Sequence, residues 1–215
     1  MLPRMDDTAI IHPQYITGLV LAGGRGSRMG DMDKGLQLFH GEPLASLVLN
    51  RLAPQVGAIM LNANRNQASY AALASRLQAG DIDIWPDALA DFAGPLAGVQ
   101  AGLQHCRTAY LLSVPCDSPL LPMNLASRLS QALLEQQADL AVAVTGTESE
   151  TQVQRIFSLM KTSLLPGLSA FLEQGGRKVG AWHATLDVAQ VRFDDELAFY
   201  NINTLEELRQ LESNA

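Results

Sequence analysis

Residues 16–30 read Ile-Thr-Gly-Leu-Val-Leu-Ala-Gly-Gly-Arg-Gly-Ser-Arg-Met-Gly, which is an apolar run followed directly by a glycine-rich stretch. The apolar run predicts a buried β-strand over 16–22, and the glycines predict a turn at its carboxyl end. Glycine-rich turns after such strands bring backbone N–H groups close to a phosphate, because no Cβ atom stands in the way. The stretch therefore favours a parallel α/β sheet with a polyphosphate site at the end of its first strand.

Three cations lie in or just after this turn, namely Arg25, Arg28 and Lys34, although the formal net charge of the chain is -7. The turn matches neither of two common nucleotide-binding motifs. It lacks the Gly-Lys-Ser/Thr that a P-loop requires, and its glycines are spaced G-x-G-x-x-x-G rather than G-x-G-x-x-G. A tight connection with charged surface residues is the alternative interpretation, but convergent cations favour a phosphate site.

Beyond the turn, segments typical of strands and helices alternate along the chain. We predict strands over 57–61, 82–85, 110–114, 140–144, 156–160 and 188–193. We predict helices over 43–52, 67–79, 95–104, 122–136 and 164–173, and a last helix that begins with a Thr204–Glu207 capping box. This alternation predicts an α/β fold with a doubly wound, mostly parallel sheet, to which the second half adds an antiparallel edge.

Composition limits the remaining choices. With 215 residues, of which 47% are hydrophobic, we expect a flexible tail over 1–15 and a single domain over 16–215. A pI near 5.0 argues against a nucleic-acid partner. No apolar run approaches the ~20 residues that span a bilayer, so we expect no membrane contact. Cys106 and Cys116 form no CxxC pair, which favours free thiols and a cytoplasmic location, with a disulfide as the alternative.

Polar side chains follow three of the predicted strands at their carboxyl ends, where ligands bind in open α/β sheets. Asn62 and Asp87 follow the second and third strands, and Asp117 follows the fourth. A carboxylate at the tip of a buried strand beside a phosphate turn is typical of a Mg²⁺ site. Turn or capping roles are the alternative for all three residues. Lys34 is a point charge that can follow charge developing on phosphates, or else a solvated lysine.

Several motifs resemble those of the sugar-nucleotide-transferase-like nucleotidyltransferases, and among them the molybdenum cofactor guanylyltransferase family. They are Leu21-Ala22-Gly23-Gly24, Ser27-Arg28-Met29-Gly30, Asp33-Lys34-Gly35-Leu36, Gly94-Pro95-Leu96-Ala97-Gly98, Pro115-Cys116-Asp117 and Asn201-Ile202-Asn203-Thr204. One segment departs from the family pattern. Gln152-Val153-Gln154 stands where many members carry a His-Pro pair, which weakens any inference about acceptor-side contacts there.

The resemblance implies a Mg²⁺-dependent enzyme in which the terminal phosphate of molybdopterin attacks the α-phosphate of GTP and diphosphate leaves. It implies that Asp117 binds the metal, and that Lys34 and Arg25 stabilise the transition state and the leaving diphosphate. It also implies nucleotide contacts from Leu21, Ala22, Gly23, Gly24, Lys34, Asn62, Asp87 and Asp117. The nucleotide half would cover about 16–120 and the acceptor half about 121–215.

Two alternatives stay open at this point. The first is a cytidylyltransferase of the same fold that acts on molybdopterin or a sugar-like phosphate. Gly23 favours guanine, because guanine-specific members tend to carry Leu-Ala-Gly-Gly and cytosine-specific ones Leu-Ala-Ala-Gly. The second is a non-catalytic nucleotide-binding module, against which the presence of Asp117 and Lys34 argues. We expect a monomer that contacts molybdoenzymes or their chaperones transiently.

Overall fold

Nine strands form two sheets within the residues that the computed structural model describes, which are 10–22, 33–76, 82–87, 94–147, 150–202, 204, 206, 207 and 209. The strands are β1 (Ile16–Leu21), β2 (Leu38–Phe39), β3 (Glu42–Pro43), β4 (Ala58–Asn62), β5 (Asp83–Trp85), β6 (Tyr110–Pro115), β7 (Leu140–Gly146), β8 (Thr151–Lys161) and β9 (Val188–Arg192). Between them lie α1 (Leu44–Leu52), α2 (Gln67–Ala74), α3 (Pro95–His105), α4 (Leu125–Glu135), α5 (Leu165–Glu173) and α6 (Val179–His183).

The large sheet has the strand order β5-β4-β1-β6-β8-β7-β9. All of its strands run parallel except β8, which is antiparallel to both β6 and β7. The predicted α/β fold with a mostly parallel sheet is confirmed. The second half does supply the antiparallel strand, but this strand lies inside the sheet rather than at its edge. The edge is formed by β9, which crosses over and pairs parallel with β7.

Helices cover both faces of this sheet, as a doubly wound fold requires. Ile16 and Val20 of β1 pack into a core shared with α1, α2 and α4, whereas Leu19 packs into a second core shared with α3, α5 and α6. Residues of β1 are therefore buried on both sides, which explains why its sequence is mostly apolar. Helix α3 lies very close to β1, because a Cβ atom on Gly102 would come within 2.5 Å of Leu19.

Most predicted elements are present with small shifts at their ends. Helix α4 begins at Leu125 rather than 122, and β8 begins at Thr151 rather than 156. The short helix α6, the β2–β3 ribbon and a 3₁₀ helix over Lys34–Leu36 were not predicted. Each is too short to give a periodic pattern, because two to five residues do not complete two helical turns.

The two ends of the chain are only partly described. Residues 1–9 of the predicted tail lie outside the described residues, whereas Pro13–Tyr15 form a 3₁₀ helix that leads into β1. Near the other end, the Glu207 N–H donates to Thr204 Oγ1 at 3.0 Å, as the capping box predicts. The described helices include none that is long and apolar enough to cross a membrane.

Candidate active site at the carboxyl ends of the strands

The carboxyl ends of β1, β4, β5 and β6 lie side by side. Leu21 pairs with Asn62 on one side and with Pro115 on the other, and Asn62 in turn pairs with Trp85. Two further backbone hydrogen bonds continue this alignment past the strands, from Ala22 N–H to the Asn62 carbonyl (2.8 Å) and from Cys116 N–H to the Leu21 carbonyl (3.1 Å). The segments that carry the predicted site residues are therefore brought together at the carboxyl ends of these four strands.

Part of the predicted phosphate turn lies outside the described residues. Gly23, Gly24, Arg25 and Arg28 all fall within 23–32, so their contacts stay predictions. The described chain resumes at Asp33, directly before the 3₁₀ helix that begins with Lys34.

Lys34 and Asp117 form an ion pair across the site. The Lys34 Nζ atom donates to Asp117 Oδ2 at 3.2 Å, and the two side chains are only 24% and 12% exposed. Burial raises the pKa of Asp117 above its ordinary value, and the positive charge of Lys34 opposes that shift. The pair therefore places a partly desolvated carboxylate beside a cation at the tip of β6.

Asp33, which sequence reasoning did not single out as a site residue, anchors the segment that carries Lys34. Its carboxylate accepts hydrogen bonds from Asn66 Nδ2 (3.0 Å) and from the Tyr70 hydroxyl, both contributed by the start of α2. Burial raises the pKa of Tyr70, and nearby Cys116 and Asp33 raise it further, so the phenol stays a hydrogen-bond donor. The Cys116 thiol is also buried. Its burial and the negative charge of Asp117 raise the pKa of this thiol.

A second carboxylate, Asp87, is held at the end of β5 by two asparagines. Asn62 Nδ2 donates to Asp87 Oδ1 at 2.9 Å and to the Trp85 carbonyl at 3.2 Å. Asn64 Nδ2 donates to Asp87 Oδ2 at 2.8 Å, and the Asp87 N–H donates back to Asn64 Oδ1 at 2.7 Å. The predicted pair Asn62 and Asp87 is therefore in direct contact, and Asn64 is an addition that the sequence reasoning missed.

Glycines at the start of α3 leave room for this cluster. A Cβ atom on Gly98 would overlap Asn62 Oδ1 and would lie 2.8 Å from Leu21 Cδ2. Gly94, directly before the helix, has a φ of +81°, a conformation that glycine adopts without strain. The Gly-Pro-Leu-Ala-Gly motif thus allows α3 to pack directly against the ends of β1 and β4.

The C-terminal segment closes the other side of Asp117. The Ile202 N–H donates to the Asp117 carbonyl at 2.9 Å, and Ser118 Oγ donates to Asn201 Oδ1 at 2.5 Å. The structure therefore brings Asn201 next to the Asp117 turn, whereas Asn203 lies outside the described residues.

Helix α1 and the 3₁₀ turn after it support the chain that follows Asp117. Arg51 Nε donates to the Leu121 carbonyl at 2.6 Å, and Gln55 Nε2 donates to the Pro122 carbonyl at 2.9 Å. The Ala126 N–H donates to Gln55 Oε1 at 3.0 Å, which satisfies one amide at the start of α4. These contacts fix the course of the backbone on the far side of the Asp117 turn.

The donor set around Asp117 fits Mg²⁺. Across the described ranges there is no group of three or more His, Cys, Asp or Glu residues arranged to hold a metal ion. Mg²⁺ takes one or two carboxylates and completes its shell with water and phosphate oxygens. The buried Asp117 carboxylate at the tip of β6 fits that requirement.

The fold and the carboxylate–lysine pair at the strand ends are those that we expect of a nucleotide-transferring α/β enzyme. The chain matches the family model described as MobA-like NTP transferase domain over residues 18–188, and it belongs to that family. It is 54% identical to the molybdenum cofactor guanylyltransferase of Bordetella petrii, over 91% of this chain and 96% of that protein. It is 53% identical to the enzyme of the same name from Ralstonia nicotianae, over 91% and 95% of the two chains.

Solved structures share the fold. The molybdopterin-guanine dinucleotide biosynthesis protein A of Archaeoglobus fulgidus has a TM-score of 0.69 and 22% identity, covering 92% of this chain and 97% of that one. A 4-diphosphocytidyl-2C-methyl-D-erythritol synthase from Anaerococcus prevotii has a TM-score of 0.76 and 12% identity, covering 94% and 98%. At these identities the likeness concerns the fold alone. The chain is thus a nucleotidyltransferase of molybdenum cofactor biosynthesis, like the relatives that share half of its sequence.

Proposed function

We propose that this enzyme transfers GMP from GTP to the terminal phosphate of molybdopterin, releasing diphosphate and forming the guanine dinucleotide form of the cofactor. An oxygen of the acceptor phosphate forms a bond to the α-phosphorus, and the bond to the bridging oxygen breaks, so that diphosphate leaves with the electron pair. The observation that carries the proposal is the Lys34–Asp117 pair at the end of β6, beside the strand that precedes the phosphate turn.

In this proposal the protein supplies position and charge rather than a covalent nucleophile. Asp117 would hold Mg²⁺, which when bound supplies neutralising charge to the phosphates. Lys34 is within reach of any phosphate that shares the metal with Asp117, because its Nζ atom already lies 3.2 Å from that carboxylate. Arg25 and the Leu21–Gly24 backbone would contact the phosphates from the glycine-rich turn. When the substrate binds, the ion pair would break, so that Asp117 could bind the metal and Lys34 could contact the phosphates.

The nucleobase side of the site supports guanine. An ionised carboxylate accepts hydrogen bonds and donates none. Asn62 and Asn64 fix the orientation of the Asp87 carboxylate. Guanine offers two adjacent donors, N1–H and the 2-amino group, to a carboxylate, whereas the Watson–Crick edge of cytosine offers one amino donor followed by two acceptors, N3 and O2. A carboxylate held in this way therefore favours GTP over CTP.

The first experiment is thermal unfolding with Mg²⁺ and, separately, GTP, CTP, ATP and UTP. A ligand present at about 100 times its dissociation constant adds roughly 2.7 kcal/mol of stability, which gives a clear melting shift. A Mg²⁺-dependent shift with GTP, followed by diphosphate release that requires molybdopterin, supports the proposal. A shift with CTP alone would indicate the cytidylyltransferase. Nucleotide binding without diphosphate release in the presence of molybdopterin would indicate a non-catalytic module.

The nucleotide half, about 16–120, and the acceptor half, about 121–215, would meet at Asp117, whose turn contacts Asn201 from the second half through Ser118. The protein would act as a monomer in a reducing compartment, where Cys106 and Cys116 stay as the free thiols that the structure shows. Light scattering on the purified protein tests the monomer directly.

A further inference from the structure

The turn between β4 and α2 holds two different carboxylates of the site. Asn64 binds Asp87, the nucleobase-side carboxylate, and Asn66 binds Asp33, which directly precedes Lys34. The two asparagines are separated by one residue, so a single short turn contacts both Asp87 and the Asp33 segment that carries Lys34. Neither asparagine is among the residues that the sequence patterns assigned to the site.

The Asn64 contact is reciprocal. Its side-chain amide donates to Asp87 Oδ2 at 2.8 Å, and its side-chain oxygen accepts the Asp87 N–H at 2.7 Å. Together with the Asn62 bond to Oδ1, these contacts restrain both the backbone and the carboxylate plane of Asp87. A carboxylate restrained in this way presents its remaining lone pairs in one direction, which a planar donor edge can match.

The Asn66 contact depends on an unusual backbone conformation. Asn66 has φ +53° and ψ 28°, in the left-handed region that asparagine tolerates better than most residues. From there its amide reaches Asp33 Oδ2 at 3.0 Å, while the hydroxyl of the fully buried Tyr70 donates to the other oxygen. The Asp33 carbonyl accepts the Leu36 N–H at 3.2 Å, so the carboxylate anchor and the 3₁₀ helix of Lys34 form one unit.

We propose that Asn64, Asn66 and Tyr70 are positioning residues, and that the Asn64–Asn66 turn is a shared support for two separate functions. Asn64 orients Asp87 and thereby sets nucleobase selectivity. Asn66 and Tyr70 orient Asp33 and thereby place the Lys34 amine, which sets the rate of transfer. The proposal rests on the proposed function, because it assigns Asp87 to the base and Lys34 to the phosphates.

Separate kinetic effects are the expected signature. Asn66→Gly, which keeps the left-handed backbone accessible, and Tyr70→Phe, which keeps the ring, should each lower kcat about tenfold to a hundredfold with GTP affinity nearly unchanged. Asn64→Ala should lower the preference for GTP over ATP about tenfold, measured both as kcat/KM and as calorimetric affinity, with a much smaller effect on kcat. The matched controls are Tyr15→Phe and Asn50→Ala, both at exposed positions, which should behave as wild type.

A second measurement is independent of turnover. In the protein without nucleotide, acetic anhydride acylates lysines at a rate that depends on how accessible each amine is, and mass spectrometry follows each lysine separately. Loosening the Lys34–Asp117 pair should expose the Lys34 amine and raise its acylation rate several-fold in Asn66→Gly and Tyr70→Phe, relative to wild type and Tyr15→Phe. The rate at Lys161, which pairs with Asp139 at 3.2 Å, should stay constant and is the internal reference.

The outcomes separate this proposal from the proposed function. A wild-type protein that does not turn over GTP would sink the proposed function, while Lys34 acylation and calorimetric selectivity would still test the positioning roles. Unchanged Lys34 acylation in both variants, or equal losses of rate and selectivity in all three, would overturn the positioning proposal. If Tyr70→Phe does not fold, Asn66→Gly gives the answer, because Asn66 is exposed and the substitution removes only its side chain.

Discussion

The Lys34 Nζ atom lies 3.2 Å from Asp117 Oδ2, although 83 residues separate the two positions in sequence. The contact exists because parallel pairing sets the ends of β1 and β6 level, and because the Asp33 anchor directs the Lys34 segment toward β6. Two groups of opposite charge thus share a site that is largely shielded from water, where charge–charge interactions are stronger than at the surface.

If Asp117 holds Mg²⁺ as proposed, replacing it by Asn should lower the rate of GMP transfer about a hundredfold to a thousandfold, because the neutral amide neutralises no metal charge. GTP binding without turnover should weaken much less. Quenched-flow diphosphate release and calorimetry with GTP measure the two effects. Full activity in Asp117→Asn would remove Asp117 from the catalytic machinery.

The same substitution should stabilise the protein without ligands. Burial raises the pKa of Asp117 above 3.8, so between the two pKa values the folded state binds more protons than the unfolded state. Stability is therefore lost as the pH rises through this window and stays lower above it. Asp117→Asn should melt higher than wild type at pH 7–8, and the difference should shrink toward zero below the unfolded pKa. Calorimetric melting from pH 3 to pH 8 tests this.

Replacing Lys34 by Met should lower the transfer rate and also destabilise the protein at neutral pH. The positive charge of Lys34 opposes the burial-driven rise in the pKa of Asp117, so its removal leaves a buried carboxylate uncompensated. We expect a rate loss of about a hundredfold or more. Lys34→Arg should restore the melting temperature but only part of the rate, because guanidinium geometry differs from that of an amine. Equal rates in Lys34→Met and wild type would contradict the assignment.

Asp87→Asn should reduce the preference for GTP over other nucleotides while leaving the fold intact. An amide presents a donor where the carboxylate presents an acceptor, so one guanine donor would face the NH₂ group. We expect a loss of about tenfold to a hundredfold in GTP affinity, the usual range for a hydrogen bond to a charged group. Competition binding with the four nucleotides measures it. A uniform loss for all four would show that Asp87 contacts the ribose rather than the base.

Gly98→Ala should destabilise the protein and weaken nucleotide binding together. Its Cβ atom would overlap Asn62 Oδ1 and press on Leu21, forcing α3 away from the strand ends. Overpacking of this kind costs about 1–3 kcal/mol. Gly167→Ala in α5 is the matched control, because nothing lies within 4 Å of its Cβ position and alanine favours helices by up to about 1 kcal/mol. Measured by denaturant unfolding, the free energy of unfolding should therefore fall in Gly98→Ala and rise in Gly167→Ala.

Local sequence patterns predicted the strands of the sheet better than the residues that position the site's side chains. The apolar run of β1 and the glycines after it specify a buried strand and a turn within one short segment, which is why the fold class followed from sequence. Tyr70 lies in the helix predicted over 67–79, but its hydroxyl partner Asp33 lies 37 residues earlier. No local spacing encodes such a contact. The position of β8 was equally hidden, because strand order depends on long-range pairing.

His183 should make the protein sensitive to mild acid. The side chain is buried and its Nε2 atom has no hydrogen-bond partner among the residues that the structure describes, and burial, with the charge of Arg155, lowers its pKa to about 4. Between pH 6.5 and pH 4 the unfolded chain thus binds more protons at this residue than the folded chain. Its contribution to stability is present above pH 6.5 and is lost as the pH falls through this window, by no more than about 3 kcal/mol.

Replacing His183 by Leu removes the titrating group and should flatten the acid limb of the stability curve over this window. Carboxylates also titrate near pH 4, so the quantity to measure is the difference in the free energy of unfolding between wild type and variant at each pH. A constant difference between wild type and His183→Leu from pH 7 to pH 4 would show that His183 titrates normally, and hence that its burial is relieved in solution.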